Sequence, residues 1–206
     1  MFKKISWLVF AILAVSIGLY PSLYFFLDRK FSLLATKTDE VLTDPAWNVG
    51  FYIHIIFAGL AMLAGWTQFS PRIRKFHLGI HRNLGKIYVA SVMLGAPAGF
   101  YIALNATGGI VSSIGFTFLA ILWFSTTLIA YLAIRRLDTR RHEIAMIFSY
   151  SLCFAAVTLR LWLPVLIYLL EDYYTAYRTV AWLCWIPNLI FAIIYTRRLN
   201  MKISAA

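Results

Sequence analysis

The chain has 206 residues, 62% of them hydrophobic and 13% charged, and 19 Lys and Arg against 8 Asp and Glu give a formal net charge of +11. Such a composition excludes an ordinary soluble core. The positive charge does not mark a nucleic-acid binder either, because the basic residues flank apolar runs and have no stacking platform or recognition motif beside them.

Four basic patches, at residues 3–4, 72–86, 135–141 and 197–202, hold 14 of the 19 basic residues, with Asp138 and Glu143 as their acidic neighbours. The other six acids fall in the alternate segments. Positive charge is retained on the cytoplasmic side of a membrane, so the patches mark one face and the chain crosses back and forth. About 20 apolar residues in a helix cover a hydrocarbon core of about 30 Å. Unpaired strand edges are not tolerated in lipid, so the spans are helices. The expectation is an all-α, single-domain bundle over residues 1–206, with six transmembrane helices at 5–27, 49–69, 83–104, 110–134, 142–169 and 177–195. Both termini are then cytoplasmic, and the economy of the chain points to a bacterial inner membrane.

The first run resembles a signal peptide, but it is long and ends in Tyr20-Pro-Ser-Leu without a small-residue cleavage site, so it reads as a span. Residues 28–48 form the one long loop, mixed in charge, expected to cap the outer face, with Trp47 at an interfacial belt. In the second span, Gly59, Ala61 and Gly65 favour close helix approach, as do Gly95 and Gly99 in the third. Asn105-Ala-Thr is a formal glycosylation sequon that a bacterial setting leaves unused. Pro97, Pro164 and Pro187 lie inside three spans, where they either kink a helix beside a cavity or are ordinary transmembrane prolines. Cys153 and Cys184 fall mid-span, where they read as apolar filler rather than a disulfide.

Polar side chains inside lipid are costly, so the few present are the functional candidates. His54 sits five residues into its span, roughly 7 Å below the interface, and Arg160 sits 18 residues along the fifth, roughly 27 Å from its inner end. Both belong to the outer leaflet, where Tyr52, Tyr101 and Trp182 lie at similar depth and could line the same ligand pocket. The plainer alternative is an Arg160 that snorkels to headgroups and a His54 bonded to a backbone carbonyl. At the cytoplasmic edge, His77 and His81 share one helical face and His142 is a third imidazole, with Arg82 and Glu143 alongside. Three imidazoles can bind Zn²⁺ with an open position, Glu143 serving as base on metal-bound water. The alternative there is a headgroup-binding collar shared with Arg72, Arg74 and Lys75.

One set of residues resembles a known family: His54, then Gly65-Trp66-Thr67-Gln68-Phe69, a basic loop, His81-Arg82-Asn-Leu-Gly85-Lys86-Ile-Tyr88, Trp123, His142, Ser149-Tyr150 and Arg160. The pattern is similar to that of bacterial multi-pass membrane proteins catalogued as a domain of unknown function. The likeness covers about residues 50–165 and leaves the first and last spans outside. One departure is Ala145, where the pattern often has Trp. The resemblance implies the membrane topology and says little of mechanism.

Three function classes remain. A redox protein binding a quinone or haem b suits the histidines and aromatic richness, although one outer-leaflet histidine cannot complete two bis-His haems. A zinc-dependent membrane hydrolase would use the cytoplasmic cluster on a lipid-like substrate. A non-catalytic assembly factor or accessory subunit would act through a membrane protein partner. A carrier is disfavoured, because the first three spans do not repeat in the last three.

Overall fold

Short polar side chains start several helices of this chain. Asp44 accepts from the Ala46 amide at 2.9 Å with Pro45 at the first helical position, Ser70 accepts from Ile73, Asp138 accepts from Arg141 at 2.9 Å, and Asp172 accepts from Thr175 at 2.7 Å. Each meets amides that a helix leaves without partners at its N-terminus.

The computed structural model describes residues 2–28 and 30–204, with residues 2, 3, 200 and 202–204 as backbone only, so the side chains of Lys3 and Lys202 from the two end patches lie outside the described residues. Its helices are α1 Phe2–Leu19, α2 Leu23–Phe26, α3 Asp39–Thr43, α4 Pro45–Gly65, α5 Pro71–Phe76, α6 Leu78–Ala103, α7 Ile110–Arg135, α8 Thr139–Cys153, α9 Ala155–Leu170, α10 Tyr173–Leu183 and α11 Ile186–Ser204. They compose six runs long and apolar enough to cross a membrane: Lys4–Phe26, Pro45–Phe69, Leu78–Ala103, Ile110–Arg135, Thr139–Leu170 and Tyr173–Leu199. The described fold is all-α, as expected. The third run starts five residues before the expected position, so the helix takes in His81 and Arg82.

Two runs are broken within the bilayer. The fifth is interrupted at Phe154 and the sixth at Cys184 and Trp185, two residues before Pro187. At the second break, Asn188 Nδ2 donates to the Cys184 carbonyl at 3.0 Å and to Thr158 Oγ1 at 3.1 Å, while Thr158 Oγ1 also donates to that carbonyl. Side chains thus satisfy backbone that water cannot reach.

The long contacts run α4 on α6, α6 on α7 and α7 on α8, with α10 against α9 and α7, α11 against α8, and α1 against α4. The α1–α4 contact is close because a Cβ on Gly59 would lie 2.7 Å from the Gly18 carbonyl oxygen. The segment between the first two spans is more ordered than a loop, with a 3₁₀ turn at Ser32–Thr36 followed by α3. Leu34 and Leu42 are buried there with Tyr24, Trp47 and Phe51. Trp47 is therefore not at an exposed belt. It is 2% exposed and stacks on Phe51 with centroids 5.3 Å apart, because the cap folds over it.

The connecting segments gather at two ends. At one, Thr36 bonds Thr107 at 3.0 Å, Lys37 bonds the Asn105 carbonyl and Arg178 Nε donates to the Gly108 carbonyl at 2.7 Å. At the other, Arg74 meets Glu143 at 3.2 Å, joining two basic segments.

Candidate functional site

A cavity of about 710 Å³ opens inside the end of the bundle that carries the 28–44 cap. Its walls come from the first, second, third, fourth, fifth and sixth runs, and both His54 and Arg160 line it. His54 Nδ1 lies 2.9 Å from the Gly95 carbonyl oxygen. A carbonyl only accepts, so Nδ1 carries the hydrogen and Nε2 of the neutral ring carries a lone pair. Gly99 makes room for that ring: a Cβ there would fall 2.6 Å from Nδ1.

Arg160 donates from Nη1 to the Ala156 carbonyl at 2.9 Å, and its guanidinium carbon stands 4.3 Å from the Tyr20 ring centroid. The Tyr20 hydroxyl in turn donates to Ser32 Oγ of the cap at 2.8 Å. Neither ion pair among the described residues, Lys30–Asp39 or Arg74–Glu143, involves Arg160. No Asp or Glu is among the described residues that line the cavity. A second cation, Lys37, reaches it from the cap, with its ammonium 5.6 Å from the Trp47 ring centroid. Burial lowers the Lys37 ammonium from its ordinary range to about 8.

The three expected companions lie elsewhere. Tyr52 packs on Phe25 and Phe51, Tyr101 packs against Gly50, and Trp182 donates to the Val111 carbonyl at 3.2 Å between α10 and α7. In their place Tyr20, Tyr24, Tyr173 and Tyr177 line the wall. Tyr173 and Tyr177 are one turn apart and stacked, a spacing visible in the sequence. Lys37 had no such signal. Cys153 and Cys184 are free, buried and also on the cavity wall.

Beside the cavity, whose wall includes Trp123, a closed set of hydrogen bonds ties three runs. The Trp123 indole N–H can only donate, and its partner is the Tyr88 hydroxyl at 3.3 Å. Thr127 Oγ1 donates to the Trp123 carbonyl at 2.8 Å and so accepts from Ser149 at 2.6 Å, which leaves Ser149 to accept from Tyr88 at 2.6 Å. The circuit begins and ends on Trp123 with every hydrogen spent. It clamps α6, α7 and α8 together beside the site.

At the basic end, His77 is the N-cap of α6, with φ −135° and ψ 56°, and its carbonyl accepts from the His81 amide at 3.0 Å. His142 Nδ1 donates to the Ala130 carbonyl at 2.9 Å, and Glu143 is engaged by Arg74. Among the described residues no group of three or more His, Cys, Asp or Glu side chains is placed to hold a metal ion. His77, His81 and His142 do not form the triad that the zinc expectation requires. Arg82 stands beside His81 and acts on it electrostatically.

No curated protein and no solved structure matches the chain. A family model described as "Predicted membrane protein (DUF2306)" matches residues 51–196, which takes in His54, the Tyr88–Trp123–Thr127–Ser149 circuit and Arg160, and extends into the last run beyond the expected stretch. By that match over most of its length, with six helices able to cross a membrane, the chain belongs to this multi-pass membrane protein family.

Proposed function

We propose that the cavity binds the head of a membrane quinone and that the chain serves quinone-linked redox work in the bacterial inner membrane, its basic loops and both termini facing the cytoplasm. The observation that carries this reading is an arginine without a carboxylate partner among the described residues and a histidine with one nitrogen committed, both lining one largely apolar cavity. The volume is in the range of small-molecule sites. Arg160 donates to one ring oxygen. His54, whose hydrogen is held by Gly95, offers Nε2 as an acceptor, which suits a quinol hydroxyl better than a quinone carbonyl. Oxidation of such a quinol sends two electrons to a partner redox protein and releases two protons, the first to Nε2. The tail follows the apolar wall toward the middle of the membrane.

The same imidazole tautomer also suits iron ligation. A haem has the weaker claim, because the other three histidines belong to the basic end and supply no second axial imidazole. The zinc hydrolase has no support in the placement of its three histidines, and no feature of the described surface speaks for an accessory subunit.

Organic extraction of the purified wild-type chain is expected to yield stoichiometric quinone, lost in Arg160→Leu and reduced in His54→Phe, with unfolding midpoints near wild type. A Soret band in the same preparation would transfer the site to haem. Wild-type protein without quinone or Soret absorbance, or quinone retained by both variants, overturns the proposal.

A further inference from the structure

Two cations line the cavity from different elements, Arg160 from α9 and Lys37 from the cap, and no Asp or Glu is among the described residues of its wall. The contacts that hold them are neutral. Arg160 gives one hydrogen to the Ala156 carbonyl and lies over the Tyr20 ring. Lys37 donates to the Asn105 carbonyl and stands 5.6 Å from the Trp47 ring centroid. Neither ion pair among the described residues includes Lys37. Carbonyls and rings orient a cation but leave its charge in place. The half-buried Lys37 ammonium, brought down to about 8 by desolvation, still carries its proton at neutral pH. Each cation also keeps hydrogens to give, since a guanidinium has five and an ammonium three.

Positive charge drawn away from water and left uncompensated is a cost, and an anion inside the cavity removes it. Of the three redox states of a quinone, the fully oxidised and fully reduced rings are neutral and offset neither cation. The intermediate is an anion at neutral pH. In a largely apolar cavity, fixed positive groups stabilise that charge more than water-exposed ones do, and they are in place before it forms.

We infer, resting on the quinone reading, that Arg160 and Lys37 make the semiquinone anion a stable intermediate in this cavity, and that the partner drawing electrons from it is a one-electron carrier. The quinol gives up one electron to that carrier and two protons, one to His54 Nε2 and the other to water at the capped end. The anion remains, with one ring oxygen facing the Arg160 fork and the other the new N–H of His54. Lys37 adds its charge from the cap. The second electron leaves once the carrier is free again, and the ring becomes the quinone.

The full chain in detergent is loaded with decylubiquinone and poised through a series of potentials with dissolved mediators. Electron paramagnetic resonance is then read beside the extracted quinone content. Wild type is expected to give a free-radical signal that rises at intermediate potential and vanishes on full reduction and on full oxidation, which separates it from a tyrosyl radical. Lys37→Met should keep the quinone and lower the peak radical by about tenfold, the effect of one charge partly shielded by protein and solvent. Lys37→Arg, which keeps the charge, should keep the signal. Lys30→Met is the control, because that cation of the same cap is paired with Asp39 at 3.7 Å and is not among the described lining residues, and it should leave the radical unchanged. Bound quinone with no radical at any potential in wild type overturns the inference and leaves the quinone reading standing. Equal signals in wild type and Lys37→Met, or equal losses in Lys37→Met and Lys30→Met, overturn it in the same way, whereas wild type that binds no quinone overturns both.

Discussion

The shared cavity of His54 and Arg160 was legible because a titratable side chain in an apolar run is costly and is expected to face the bundle interior. Tyrosine carries no such cost. It is at home in cores, at interfaces and on cavity walls, so Tyr52 and Tyr101 could not be told from Tyr20 and Tyr177 by depth alone. Lys37 was hidden for the opposite reason, since a lysine in a polar segment is ordinary until the segment folds inward. Its burial has a measurable consequence. The folded chain holds the ammonium less tightly than the unfolded chain, with a value of about 8 against an ordinary 10.5. Below that window both states are protonated and the penalty for burying the charge is fully present. As pH rises through it, the unfolded chain binds more protons than the folded one, and stability increases. Unfolding midpoints in detergent should therefore climb from pH 8 to pH 9.5, and Lys37→Met should flatten the rise. A wild-type profile already flat over that interval would show that the ammonium is solvated.

At the scale of elements, spans are recovered well because length, apolarity and flanking charge all follow from the thickness of the bilayer. Interruptions are recovered poorly. Pro187 removes a backbone donor, and a break before it was foreseeable. The break at Phe154 has no proline within its own turn, and nothing in the run foretells it. Pro97 and Pro164, by contrast, sit inside continuous helices. What the sequence does contain is the means of satisfying a break, in Thr158 and Asn188, which look like unremarkable polar residues until they meet across two helices. Replacing Asn188 by Ala leaves the Cys184 carbonyl with the Thr158 hydroxyl as its remaining side-chain donor. Loss of a hydrogen bond to a buried backbone group costs about 1–3 kcal/mol. Unfolding in mixed micelles should register a loss of that order for Asn188→Ala. A change below about 0.5 kcal/mol, the usual size for a surface substitution, would mean that the carbonyl is satisfied without it.

For the whole molecule, charge and connectivity make the same statement by separate routes. The sequence sorts its basic patches and six of its eight acids into alternate segments, and the fold brings Arg74 and Glu143 of two basic segments together while joining Thr36 to Thr107 and Arg178 to Gly108 at the opposite end. Those contacts determine which segments share a side, but not which side faces the cell interior. The asymmetry of Lys and Arg does bear on that choice, because orientation follows basic residues in short loops and hardly responds to acids. Labelling can test it on a background freed of native thiols, since Cys153 and Cys184 are both buried and their replacement by Ser leaves the surface unaltered. On that background Lys75→Cys and Arg198→Cys should resist a membrane-impermeant maleimide in intact spheroplasts and react after permeabilisation. Asp39→Cys and Tyr174→Cys, exposed at the capped end, should react without it. The reverse pattern would keep the bundle intact yet turn it over. The cavity would then open toward the cytoplasm, and the protons of a bound quinol would leave on that side. If Lys75→Cys and Arg198→Cys labelled from opposite sides, the number of crossings between them would be odd, which the four runs from Leu78 to Leu199 do not allow without one of them failing to span.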